Sequence, residues 1–374
     1  MKRVAIINDT SKVGLGGHCT QSAFNGLPGV EVTALADPNP ENIRARLDEV
    51  GAKRHYSDYR AMLDQEKPDI ALLCSRLPGD HLPQIEAAAR AGCHILCEKP
   101  MCIDLAEGDR ILALSKKYGV RIAVAHLARY VRVFRTMKEM IHSGAIGTPL
   151  TFYGRGKEDE RGGGEDLVVL GTHILDLGCY LFGRAQSVFA DVSVDGRALR
   201  ATDRSVTKEP LGAVAGDSLM AFLQFPGNVR GIFESRRGLF RKGSQVRMGV
   251  TVAGTEGCLS VRYDRDRHLR ISRSVYPPED ESAYGIVPLP PLPEIPGAAP
   301  LVIPEHGPVE AKYFAEGNRF AAWDLIRAIG EHRSPAASAE DAVFTLEMIN
   351  GIYRSALVGK KIPLPLTDRS NPLA

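Results

Sequence analysis

Apolar and polar positions follow two alternating periods over the first 126 residues. Val4–Ile7 is a short run with no polar residue, as a parallel strand buried on both faces requires. Val30–Ala36 repeats the pattern, and Ile43, Leu47 and Val50 then fall at helical spacing. Ile70–Cys74, His94–Cys97 and Ile122–Ala125 predict three more strands. Asp80 to Ala91, closed by Gly92, and a stretch from Asp104 to Gly119 predict helices between them. Such alternation builds right-handed crossovers and a doubly wound parallel sheet.

Beyond that point the pattern changes. Val131 to Ser143 predicts one helix, with Val133, Met137, Met140 and Ile141 on one face and Gly144 at its end. After Gly183 strands dominate. Val188, Ala190, Val192 and Val194 alternate with other residues. Ser218–Phe225 and Val229–Glu234 read as a hairpin across Pro226-Gly227-Asn228, and Val250–Ala253 with Cys258–Tyr263 as another. Tyr276 to Pro308 holds ten of the 24 prolines and predicts an irregular surface segment. Two helices follow, Asn318–Glu331 and Ala339–Val358. The expected fold is α/β: an N-terminal Rossmann sheet over residues 1–126, then a C-terminal α/β domain over 127–374 with an open, mostly antiparallel sheet. The late helices are free to pack back on the first domain.

Composition narrows the function. Lys+Arg is 47 and Asp+Glu 45 in 374 residues, a net charge of +2, which gives no support to a nucleic-acid binder. The seven cysteines are scattered without a CxxC pair, so free thiols in a reducing compartment are expected, and no metal site. No apolar run approaches the roughly 20 residues of a membrane span. The N-terminus passes directly into a strand, so a cytoplasmic enzyme is expected.

Three stretches carry chemistry. The loop from Asn8 to His18 holds Gly14, Gly16 and Gly17 and is read as leading from the first strand into a helix, where a dinucleotide pyrophosphate would sit. Cys19 stands where GxGxxG has its third glycine, so a plain flexible loop is the alternative. Asp37 ends the second strand, where a carboxylate accepts from ribose hydroxyls and repels a 2′-phosphate, favouring NAD over NADP. A simple Asp-Pro turn is the other reading. Glu98-Lys99-Pro100 follows a strand end, where a lysine can stabilise a developing alkoxide; a solvated lysine beside a turn is its alternative. In Gly171-Thr172-His173-Ile174-Leu175-Asp176, His173 and Asp176 share a helix face, and the imidazole can serve as acid or base or be a satisfied core histidine.

Together these residues resemble the Gfo/Idh/MocA oxidoreductases over nearly the whole length. Ala36-Asp37-Pro38, Ala91 to Pro100, Ser143-Gly144-Ala145-Ile146-Gly147, Gly171 to Asp176 and Tyr353-Arg354-Ser355-Ala356 with Gly359 carry the likeness. The resemblance implies hydride transfer between NAD and a secondary hydroxyl of a sugar, glycoside or polyol. Lys99 would contact nicotinamide ribose and substrate, His173 would be the acid/base, and Lys99–Pro100 would be cis. The cofactor set then comprises Asn8, Thr10, Ser11, Gly16, Gly17, Asp37, Cys74, Ser75, His81, Glu98 and Lys99. The substrate set comprises Lys99, Lys157, Asp166, Thr172 and His173, with Lys157 equally readable as part of a solvated charge run. The family's DxGxHxxD pattern has Val169 in place of its first acid, so Asp166 or Glu165 is the expected replacement. Two further readings stay open: glycoside cleavage by oxidation and elimination with NAD retained, and a non-catalytic NAD-binding sensor. A homo-oligomer through the outer face of the strands between Val188 and Tyr263 is also implied.

Overall fold

The structure is a computed structural model that describes all residues except 13–17, 206, 208, 209, 240–247, 264–266, 302–308 and 374, and no side chain of 309–311. Two compact units divide the chain: Met1–Val131 with Pro293–Val343, and Arg132–Leu292 with Phe344–Ala374.

The first unit is a parallel sheet with helices between its strands. β1 (Lys2–Ile7), β2 (Val30–Ala36), β3 (Arg54–Tyr56), β4 (Ile70–Leu73), β5 (His94–Cys97) and β6 (Ile122–Val124) lie in the order β3-β2-β1-β4-β5-β6. The order reverses between β1 and β4, the point at which open α/β sheets bind ligands beyond their carboxyl ends. β4 is buried at every position, which is why it reads as an unbroken apolar run. α1 (Ile43–Val50), α2 (Tyr59–Glu66), α3 (Pro78–Arg90) and α4 (Leu105–Tyr118) connect the strands. Asp104 caps α4 by accepting from Glu107 N at 2.9 Å, and Gly119 closes it in the left-handed region.

The structure departs from the pattern in two places here. The helix expected after β1 is a single three-residue turn, Thr20–Ser22. Asn25-Gly26-Leu27-Pro28-Gly29 follows, with both glycines at positive φ, and its breakers leave no room for further helical turns. Second, β3 and α2 arise from a stretch without clear periodicity. α2 is fixed by its cap, Asp58 accepting from Arg60 N at 3.1 Å.

The second unit begins with α5 (Arg132–His142), β7 (Pro149–Arg155), α6 (Gly164–Val169) and α7 (Gly171–Phe182). β8 (Ser187–Val194), β9 (Arg197–Ala198), β10 (Ser218–Gln224), β11 (Arg230–Arg236), β12 (Gly249–Gly254), β13 (Cys258–Arg262), β14 (Leu269–Ser272) and β15 (Gly285–Ile286) follow. With β16 (Ile362–Pro363) they form one sheet, ordered β15-β14-β13-β12-β7-β11-β10-β8-β16, with β9 beside β8. Both hairpins take the expected antiparallel pairing, Gln224 opposite Arg230 and Ala253 opposite Cys258. The sheet is mixed, because β7 pairs parallel with β11. β7 escapes the pattern reading because Thr151, Tyr153 and Arg155 alternate with Leu150, Phe152 and Gly154, and the glycine breaks the apolar series after two residues. α7 packs on this strand pair: a methyl of Ile174 would lie 2.4 Å from a Cβ at Gly154, and the Phe225 ring 2.8 Å from one at Gly178.

The chain from Tyr276 to Leu301 is irregular apart from β15 and a short turn. α8 (Val309–Gly330) begins nine residues before the expected Asn318 and belongs to the first unit. There Asn318 Nδ2 donates to His18 O at 2.7 Å, and Arg319 Nη1 donates to Asn25 O at 2.9 Å. The first unit is closed by Val124 N donating to Ala337 O at 2.9 Å. α9 (Ala339–Val358) starts in the first unit and continues into the second. Among the described residues no helix is long and apolar enough to cross a membrane.

Candidate active site

The first unit presents a cavity of about 290 Å³ at the carboxyl ends of its strands, lined among others by Asn8, Asp9, Lys12, Pro38, Tyr59 and Asp80. Lys12 Nζ lies 2.7 Å from Asp80 Oδ2 and 3.6 Å from Asp9 Oδ2, an ion-paired cluster at the mouth of the switch point. Asn8 ends β1 and its Oδ1 accepts from Asp9 N at 3.0 Å; Ser11 Oγ donates to Asp9 Oδ1 at 2.5 Å. Gly14, Gly16 and Gly17 lie outside the described residues. Asp37, at the end of β2, accepts from Thr10 Oγ1 at 2.9 Å and from Arg46 Nη1 at 2.5 Å.

Beyond β4, Cys74 N donates to Ile7 O at 2.9 Å, and burial pushes its thiol well above the usual range. Ser75 Oγ donates to Asp80 Oδ2 at 2.6 Å. His81 is fully buried within α3. Its ring nitrogens face the carbonyls of Ser75 at 2.8 Å and of Pro100 and Met101 at 3.0 and 3.2 Å. It therefore ties the loop after β4 to the loop after β5.

That second loop carries the Glu98-Lys99-Pro100 motif, and the Lys99–Pro100 peptide is cis. Lys99 is 3% exposed. Glu98 is buried behind it and accepts from Lys99 N at 3.0 Å, from His18 Nδ1 at 3.3 Å and from Thr20 Oγ1. Burial on its own would raise the Glu98 carboxyl; His18, Thr20 and Lys99 outweigh it and hold the group at about 2. Burial pushes His18 below its ordinary value, against the opposing pull of Glu98. At neutral pH the pair is a carboxylate accepting from a neutral imidazole, with the proton on Nδ1 because the carboxylate is acceptor-only.

In the second unit the expected residues gather around α6 and α7. Asp166 is fully buried, and its Oδ2 accepts from Lys157 N and from Ser235 Oγ, each at 2.7 Å. Ser235 Oγ in turn accepts from Gly163 N at 3.0 Å. Burial pushes the Asp166 carboxyl up to about 6, although those two hydrogen bonds pull it down. A Cβ at Gly156 would stand 1.9 Å from Asp166 Oδ2, so only glycine admits this carboxylate. Glu165 and Thr172 are buried, His173 sits half-buried in the first turn of α7, and Asp176 is buried one turn on. Val169, where the family pattern has an acid, is buried apolar chain.

Sequence reasoning missed His18, Thr20 and Arg46. The first two reach Glu98 across 80 and 78 residues, which no local spacing reveals. Arg46 differs from its neighbour Arg44 only in the direction in which α1 turns it.

The strand-end cavity and the carboxylate ending β2 stand where a Rossmann sheet takes a dinucleotide. This Rossmann unit is followed by a unit that carries the buried Asp166 carboxyl and, in the first turn of α7, His173. Residues 12–126 match the model described as an oxidoreductase family, NAD-binding Rossmann fold, and residues 134–260 match the GFO/IDH/MocA C-terminal domain. The chain belongs to the Gfo/Idh/MocA family of oxidoreductases.

It is similar to D-apiose dehydrogenase of Paraburkholderia graminis, 31% identical over 196 residues that cover 48% of this chain and 51% of that protein. The match thus spans about half the length of that relative. Levoglucosan dehydrogenase of Pseudarthrobacter phenanthrenivorans is 25% identical over 372 residues, covering 88% of this chain and 89% of its own. A solved structure of levoglucosan dehydrogenase with NADH and levoglucosan shares the fold. Its TM-score is 0.73 at 22% identity, over 98% of this chain and 100% of that one.

Proposed function

We propose that this protein is an NAD-dependent dehydrogenase acting on a secondary hydroxyl of a sugar, glycoside or polyol. The observation that carries this reading is the Glu98-Lys99-Pro100 loop. A lysine is held almost out of solvent at a parallel-strand end by a braced, ionised carboxylate, in a chain whose curated relatives are named as dehydrogenases of such compounds. Lys99 holds the substrate hydroxyl oxygen and stabilises the negative charge that develops there. His173 takes the hydroxyl proton. Asp166, Lys157 and Thr172 complete the substrate contacts, with Asp166 in the place of the acid absent at Val169. The bound nicotinamide supplies the hydride acceptor. Asp37 at the end of β2 stands where the adenosine ribose of the dinucleotide meets the sheet. The active form is a homo-oligomer built on the outer sheet face, where Phe189 and Phe222 stand opposite each other at 42% and 45% exposure.

The deciding experiment follows NADH absorbance with NAD⁺ and a panel of polyols, free hexoses and glycosides, with aglycone release read in the same wells. NADH in proportion to one substrate class is the expected result. Aglycone without NADH would replace this reading with oxidation and elimination. Silence in both channels across the panel would count against a dehydrogenase of these compounds.

A further inference from the structure

Every acceptor position of Asp37 is taken. Oδ1 accepts from Thr10 N at 3.2 Å and from Asn39 N at 3.0 Å. Oδ2 accepts from Thr10 Oγ1 at 2.9 Å and from Arg46 Nη1 at 2.5 Å. A carboxylate offers about four lone-pair positions, so the ribose hydroxyls find none open. The residue also has no exposed surface, at 0%.

The group that faces outward is the arginine. Its guanidinium also contacts Thr10 Oγ1 and the carbonyls of Asn39 and Glu41, and its side chain keeps 15% of its surface exposed. Arg46 Nε is buried without a hydrogen-bond partner, so it is the Nη edge of the guanidinium that an incoming group meets. An ion pair this short neutralises Asp37 towards anything that approaches the strand end. The repulsion that would turn away a 2′-phosphate is cancelled there, and the surface offered instead is a cation and a hydroxyl.

We infer that Arg46 sets the choice of dinucleotide, masking Asp37 so that a 2′-phosphorylated adenosine ribose is bound as well as an unphosphorylated one. The inference rests on the reading above, that the adenosine ribose meets the end of β2. A 2′-phosphate pairs with the guanidinium and receives the Thr10 hydroxyl. An unphosphorylated ribose displaces that hydroxyl from Asp37 Oδ2 and takes its place. Asp37 then acts as a positioning residue for Arg46 in one case and as a ribose acceptor in the other.

The test is equilibrium binding to the protein without substrate, by calorimetry, with NAD⁺ and NADP⁺ titrated separately. The unaltered protein should bind NADP⁺ within about tenfold of NAD⁺. Arg46→Gln should weaken NADP⁺ at least tenfold while moving NAD⁺ less than about threefold. Arg46→Lys, which keeps the charge, should lie between them. The inference is overturned by an unaltered protein that binds NADP⁺ more than about tenfold more weakly than NAD⁺, a result that needs no variant to fold. A ratio that Arg46→Gln leaves unchanged overturns it too. If the folded protein binds neither dinucleotide, the strand-end reading itself falls, which separates that failure from a failure of selectivity alone.

Discussion

Asp166 titrates near pH 6 in the folded chain, against an ordinary 3.8, because it is buried more completely than its two hydrogen bonds can offset. A raised acid means that the folded state holds its proton where the unfolded state has released it. Stability therefore falls as pH rises from about 4 to 6 and stays lower above that window, by about 3 kcal/mol. Asp166→Asn keeps an acceptor for Lys157 N and Ser235 Oγ and removes the titration. Its melting temperature by calorimetry should exceed that of the parent by several degrees at pH 8 and match it near pH 4. If the carboxylate also takes part in turnover, the same variant should flatten the limb of the kcat/KM profile near pH 6. Lys99 gives the complementary case. Lys99→Met should lower kcat by about a thousandfold through lost alkoxide stabilisation, with the dissociation constant for NAD⁺ nearly unchanged in a fluorescence titration. Retained turnover would remove Lys99 from the mechanism.

At the scale of elements, the positions that place these side chains are small residues and remote braces. Gly156 ends β7 against the Asp166 carboxylate and the Ser235 hydroxyl, with clearances of 1.9 and 2.8 Å to an added Cβ. Gly156→Ala should destabilise the second unit by about 1–3 kcal/mol and shift the Asp166-linked pH slope, both readable by denaturant titration at two pH values. Thr20→Val leaves the buried Glu98 carboxylate without one of its donors and should cost about 1.5–3 kcal/mol in the first unit. Here the limits of the sequence are physical. The strands β1, β2, β4 and β5 were legible because burial on both faces forces a run of apolar residues. The motifs at Asp37, Lys99 and His173 were legible because each sits at an element end of fixed chemistry. The truncated helix after β1 was not, because the loop glycines masked the breakers that follow Asn25. The central strand β7 was not, because Gly154, at the α7 contact, took a place where a strand residue would show alternation. The partners of Glu98 and Asp37 were not, because they arrive from other elements.

Across the whole molecule, the two faces of the large sheet differ. Val188, Ala190 and Val192 of β8 are buried, whereas Phe189 and Asp191 between them are exposed, and β10 repeats this with Phe222. Two exposed phenylalanines paired across neighbouring strands fit a surface that a second copy covers. Phe222→Asp should convert the oligomer to a monomer in sedimentation at micromolar concentration without lowering the melting transition much, since Phe222 lies on the exposed face of the sheet. A parent chain that is already monomeric would end the oligomer proposal.

The first unit has another property of scale, which follows from its being assembled from Met1–Val131 and Pro293–Val343. Its edge strand β6 waits for Ala337, Arg121 waits for Arg333, and the turn after β1 waits for Asn318 and Arg319. During synthesis, at about 5–20 residues per second, those partners leave the ribosome roughly 10–40 s after Val131 does. For that interval the nascent dinucleotide-binding unit stands unclosed, with apolar strand ends that a chaperone would recognise. The second unit is completed later still, by Phe344–Ala374. A chain ended near residue 130 would carry every strand of the parallel sheet and still lack the pieces that seal it.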